Sequence, residues 1–153
     1  MRKVLALMVA LVLLSLAVLQ NPGKETDLVV KVIDGDTVIL ASGERVRLIG
    51  INAPERGEPC YEEAKRALEN LVLFKNVTLE RDAENRDRYG RLLRYIFVNG
   101  TFVNSKMLED GFAVLYYVQP NAKYLRELGL AEKTGRERGG CVWRYSNTTA
   151  AER

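Results

Sequence analysis

Leu28-Val29-Val30-Lys31-Val32-Ile33-Asp34-Gly35-Asp36-Thr37-Val38-Ile39-Leu40 reads as two β-rich runs, Leu28 to Ile33 and Thr37 to Leu40, joined by a tight Asp34-Gly35 turn. Ser42-Gly43 makes a second turn into Glu44–Ile51, so the domain opens as a three-strand meander. Asn52 to Pro59 is a loop with two prolines. The period then changes. Ala64, Ala67, Leu68, Leu71 and Val72 recur at helical spacing, which predicts an amphipathic helix over Tyr61 to Phe74. Glu62 and Glu63 fall in its first turn, where the helix dipole favours anions.

Further along, Val77–Glu80 and Leu92–Val98 read as strands, with Asn99-Gly100 as a hairpin turn. Asn104 is expected to cap a short helix ending at Gly111, and Phe112–Val118 to form a short strand. A longer helix is expected from about Ala122 to Arg138, interrupted at Gly129 and Gly135, with Trp143 packing that end onto the body. Five strands and about three helices, strands first, predict an α+β, β-rich fold: a five-stranded, partly open barrel of OB type with helices to one side.

The outer parts of the chain read differently. Met1-Arg2-Lys3 is basic, and residues 4–19 are apolar apart from Ser15. This predicts a signal peptide or an N-terminal membrane anchor over 1–20, slightly short of the ~20 residues a spanning helix needs. Residues 21–26 read as a linker, 27–145 as the domain and 146–153 as a C-terminal tail. Export, either as a secreted protein or anchored on the outer face of the cell membrane, is the expectation. Without Arg2 and Lys3 the chain holds 21 basic and 20 acidic residues, so net charge argues for no partner. Local charge placement has to do that. Cys60 and Cys141 are the only cysteines. In an exported chain the pair suggests a disulfide, the alternative being two separate buried thiols. Three Asn-X-Thr triplets, at Asn76, Asn99 and Asn147, fit the glycosylation pattern but arise easily by chance.

Candidate chemistry concentrates in three segments. The chain has no histidine, which excludes a Ser-His-Asp triad, a His base and His-ligated zinc. Asp34 and Asp36 put two carboxylates at the mouth of a strand pair, where oxygen ligands suit a hard cation; alone, Asp34-Gly35 is an ordinary turn. Arg47 interrupts the apolar run Val46 to Ile51 and needs a partner, either a carboxylate such as Asp34 or Asp36 or a bound phosphate. Pro54 sets the direction in which Glu55 leaves the strand, and beside a metal and a phosphate a Glu can orient or deprotonate water. In Arg81–Arg91 seven of eleven residues are charged, which by itself describes a solvated loop. Tyr89 between Arg88 and Arg91 is a mixture that holds a base and a phosphate. Together these groups form a phosphoryl-transfer site.

Ile33-Asp34-Gly35-Asp36-Thr37, Arg47 through Ala53-Pro54-Glu55, and Asp87-Arg88-Tyr89-Gly90-Arg91 closely resemble the staphylococcal nuclease (thermonuclease) family, over about Leu28 to Trp143. The resemblance implies an OB-fold barrel with three helices and Ca²⁺-dependent hydrolysis of DNA and RNA. It also implies preference for single strands, cleavage of the P–O5′ bond, 3′-phosphate ends and a monomer. It makes Arg47, Glu55 and Arg91 catalytic: two phosphate-binding arginines and the general base or water-positioning glutamate. Asp36 matches the Ca²⁺ carboxylate, Thr37 the position giving a backbone carbonyl, and Asp34 a position near the metal but outside its direct ligands. Arg88 and Tyr89 match the nucleotide pocket; tyrosines are also expected near Tyr116 and Tyr117. One departure stands out: Asn52 occupies the place of a second metal-binding Asp. An amide oxygen coordinates Ca²⁺ without adding charge, so weaker Ca²⁺ affinity is expected, which a titration giving tight micromolar activation would overturn. The rival reading is a non-catalytic single-strand-binding module on the same fold.

Overall fold

The computed structural model describes residues 24–145. The leader and tail expected at 1–20 and 146–153 lie outside the described residues. Strand β1 (Lys24–Asp34) begins inside the expected linker, pairing Lys24 with Glu80 and Thr26 with Thr78. Its polar start misleads because one side of an antiparallel strand can face water. The first half of β1 pairs with β5 (Asn76–Glu80), and the second half with β2 (Thr37–Leu40). One long strand thereby serves two neighbours. The sheet order β3-β2-β1-β5-β6 closes on itself through parallel pairing of β3 (Arg45–Leu48) with β6 (Leu92–Val98). This is the expected five-stranded OB-type barrel.

Each barrel strand contributes an inward residue that is fully buried, among them Val29, Val38, Val46, Val77 and Ile96. Helix α1 (Tyr61–Val72) covers them with Ala64, Leu68 and Val72, the stripe expected from the sequence. The expected third run does not continue as one strand. It breaks after β3 and resumes as β4 (Gly50–Asn52), because Gly50 takes φ +80 and lies so close to Leu128 that a Cβ would collide with it. Strand β4 pairs instead with β8 (Val114–Tyr116), outside the barrel.

After the hairpin from β6 to β7 (Thr101–Phe102) comes helix α2 (Val103–Glu109). Asn104 is not its cap; Phe102 holds that place. Asn104 is fully buried, accepts the Ile96 N–H at 2.9 Å and donates to the Ile49 carbonyl at 2.8 Å. It joins β6 to the β3–β4 break, a long-range role that the local pattern could not reveal. Helix α3 (Leu125–Glu137) is shorter at its start than expected, and a helical turn spans 141–145. Trp143 meets this end through Arg136, whose guanidinium lies 4.4 Å from the ring centre. Cys60 and Cys141 form a disulfide, which fastens the start of α1 to that turn.

Candidate active site

The β1–β2 turn is held by its own side chains. The Asp36 N–H donates to Asp34 Oδ1 at 3.0 Å, and Gly35 is pressed against the loop after β4. A Cβ at position 35 would come within 2.5 Å of the Ala53 Cβ and 2.9 Å of the Ala64 Cβ, so only glycine permits the approach. That contact brings Asp36 to the loop, where its Oδ2 accepts the Ala53 N–H at 2.8 Å. Its Oδ1 accepts the Thr37 hydroxyl at 3.0 Å and faces Arg47 Nε at 3.1 Å.

Of the two partners expected for Arg47, the carboxylate is present, in Asp36, and backbone and amide oxygens take most of the rest. Nη1 donates to the carbonyls of Leu48 and Ile51, each at 2.8 Å, and Nη2 donates to Asn52 Oδ1 at 3.0 Å. With Nε on Asp36, a guanidinium of five N–H groups keeps one Nη2 hydrogen uncommitted among the described residues. The arginine therefore fixes the two oxygens expected to bind metal, Asp36 Oδ1 and Asn52 Oδ1, on a common rigid fork.

Residues 86–91 form a tongue between β5 and β6. Asp87 is its hub, accepting the Tyr89 N–H (2.9 Å) and Arg91 N–H (3.0 Å) on Oδ1, and Arg91 Nε (2.7 Å) on Oδ2. Those donors hold the Asp87 carboxyl below the usual carboxylate range, against the opposing effect of burial. Among the described residues Arg91 spends only Nε, so both terminal nitrogens are open to a ligand. Arg88 Nη2 donates to the Tyr89 hydroxyl at 2.7 Å, and the guanidiniums of Arg88 and Arg91 lie 4.8 and 5.4 Å from its ring centre.

These pieces line one open cleft of about 590 Å³. Asp34, Asp36, Arg47, Asn52, Glu55, Arg88, Tyr89 and Arg91 all face it. Thr37 does not: it is buried in the β2–β3 ladder, and its hydroxyl serves Asp36. Glu55 stands at the rim, its N–H accepted by Glu58 Oε2 at 2.7 Å.

The sequence model described as staphylococcal nuclease homologue matches residues 45–145, which include the catalytic candidates Arg47, Glu55 and Arg91. The chain belongs to the staphylococcal nuclease family. It is 31% identical over 134 residues to the thermonuclease of Staphylococcus hyicus, covering 82% of this chain and 79% of that one. It is 34% identical to the thermonuclease of Staphylococcus intermedius over 78% and 76% of the two chains. With the endonuclease YncB of Bacillus subtilis (strain 168) it shares 34% identity, over 76% and 60%.

Within this staphylococcal nuclease family cleft, further residues appear that sequence reasoning passed over. Glu84, Arg86, Val118 and Asn121 also line it. Glu84 and Asn121 bond one another, the Glu84 N–H to Asn121 Oδ1 at 3.0 Å and Asn121 Nδ2 to Glu84 Oε2 at 3.2 Å. Their partnership crosses 37 residues, so no local signal carried it. Tyr116 reaches the cleft and Tyr117 does not.

The donor set fits a hard cation: Asp36 and Asp34 carboxylates and the Asn52 amide supply oxygen alone. Among the described residues no group of three or more His, Cys, Asp or Glu could hold a metal, and the third oxygen beside the two carboxylates is the Asn52 amide. The Asp36 carboxyl is pushed up to about 6, chiefly by burial, with Arg47 pulling it down and Asp34 pushing it up. A carboxyl raised in the folded state favours folding below its unfolded pKa of ~3.9, an advantage lost as pH climbs through about 6. Asp36→Asn is free of that loss, though it leaves Arg47 without its carboxylate, so it is expected to gain stability relative to the wild type between pH 4 and pH 7 without divalent ions. Thermal unfolding at pH 4 and pH 7 checks this; a difference equal at both pH values would refute the burial account.

Proposed function

We propose that this chain is a calcium-dependent nuclease that hydrolyses phosphodiester bonds in DNA and RNA, single strands preferentially, leaving 3′-phosphate ends. The observation that carries the reading is one cleft uniting metal-type oxygens, a free arginine fork and a rim carboxylate. Asp36 and Asn52 would hold Ca²⁺, with Asp34 beside it and Thr37 orienting Asp36 through its hydroxyl. When bound, the ion supplies Lewis-acid polarisation of a phosphoryl oxygen. Arg91 offers its two terminal nitrogens to the charge that grows on the phosphate in the transition state. Arg47 adds its remaining Nη2 hydrogen. Glu55 accepts or directs the proton of the attacking water, and Arg88 with Tyr89 packs a terminal nucleotide.

The proposal includes a monomer acting outside the cytoplasm, secreted or anchored at the membrane's outer face. The Cys60–Cys141 bond and the basic-then-apolar start of the chain support that setting.

Digestion of denatured DNA and of RNA, with Ca²⁺ and with EGTA, tests the reading. Cleavage is expected with Ca²⁺ only, and Asn52→Asp should lower the Ca²⁺ concentration for half activation because it restores a charge. Retained single-strand binding without cleavage would instead favour the non-catalytic module.

A further inference from the structure

Arg86 joins Glu44, just before β3, to the backbone of the 86–91 tongue. Its Nη1 donates to Glu44 Oε2 and to the Gly90 carbonyl, both at 2.8 Å, and its Nη2 donates to Glu44 Oε1 at 2.8 Å. Glu44 sits just beyond the β2–β3 turn, whereas Gly90 is the residue immediately before Arg91. The fork thus grips the barrel on one side and the peptide that carries Arg91 on the other.

We propose that Glu44 and Arg86 are positioning residues for Arg91, an ion pair that clamps the 86–91 tongue at the cleft before substrate arrives. The inference rests on the nuclease reading. The base of the tongue is already fixed: Arg94, buried in β6, donates to the Asn85 carbonyl at 3.2 Å and to Asn85 Oδ1 at 2.9 Å. Its interior is fixed by Asp87. The Glu44 contact ties its outer part to the β2–β3 side of the barrel, beyond the point where Leu92 pairs with Val46. Both partners are well exposed, with side chains 43% and 38% accessible, so the pair adds little to the stability of the fold. Its effect falls on the reaction instead, because a displacement of ~1 Å at a reacting group can cost on the order of a hundredfold. Glu44 itself does not line the cleft, whereas Arg86 does.

Glu44→Gln separates positioning from simple attraction of phosphate. With the full chain, Ca²⁺ and heat-denatured DNA, kcat is expected to fall about tenfold with Tm nearly unchanged. Glu44→Gln/Arg86→Gln should lose no more than the worse single variant. If Arg86 merely attracts the substrate, releasing it from Glu44 lowers KM and leaves kcat alone, and the clamp is overturned. Hydrogen exchange at the Tyr89 and Arg91 amides gives a readout independent of cleavage. It should quicken in Glu44→Gln, and unchanged exchange overturns the clamp. A wild type that fails to cleave counts against the nuclease reading, with exchange still deciding the clamp.

Discussion

Arg47→Ala is expected to lower kcat/KM on denatured DNA by at least a thousandfold and to destabilise the domain by about 3 kcal/mol. The first figure has two sources. A charged donor aimed at a phosphoryl group in a dry site is typically worth ~3–4 kcal/mol. Losing Arg47 also frees Asn52 Oδ1 and Asp36 Oδ1 from the fork that sets their positions. The second figure follows because removal leaves the buried Asp36 carboxylate without its cation and the Leu48 and Ile51 carbonyls without their donor. Denaturant unfolding beside steady-state kinetics separates the two. A variant that keeps wild-type stability would show that the four contacts hold nothing in place. Arg91→Ala provides the contrast: its terminal nitrogens are uncommitted, so activity should collapse with much less loss of stability.

Replacing Cys60 and Cys141 together by serine is expected to cost about 4 kcal/mol of stability, since the bond closes a loop with a sequence separation of 81. Against a typical total of ~5–15 kcal/mol, this would leave a marginal domain. The position adds to the effect. Cys60 precedes α1 in a left-handed conformation and gives that helix no side-chain cap, so the covalent tie adds to the bonds of the Tyr61 N–H and hydroxyl in holding the helix start. A midpoint in urea that does not move would mean that the hydrogen bonds of the 55–60 loop suffice alone.

The barrel was legible because its strands are local. Alternating and apolar runs, the Asp34-Gly35 turn and the Asn99-Gly100 hairpin announce themselves within a few residues. The three segments of the cleft were legible for the same reason, each being short and chemically unusual. What escaped was pairing at a distance. Arg94 sits in a run read simply as a strand, and its partners, Asn85 and Glu25, lie 9 and 69 residues away. Arg86 belonged to a charge run that described a solvated loop, yet its carboxylate is 42 residues distant. Gly50 looked like part of a strand because nothing nearby signals that Leu128 will occupy the space of a Cβ. Asn104 resembled a cap since Asn commonly is one; that Ile49 and Ile96 needed it could be read only from the closed barrel. Arg47 was undecidable between carboxylate and phosphate; in the structure it serves the carboxylate, with one Nη2 hydrogen uncommitted among the described residues.

Val46 lies opposite Leu92 and Arg47 opposite Leu93, in the parallel pairing that shuts the barrel. The cleft is therefore laid across the seam, with one arginine on either lip. A chain still being completed carries Arg47 long before it carries Arg91, and the two are aligned when β6, the last strand of the barrel, docks on β3. Competence thus comes as a single event, and any fluctuation that parts the seam silences the whole cleft together. Cleavage becomes a clock for the molecule itself: during refolding the rate of product release should trace arrival of the closed barrel, with no partly active prelude.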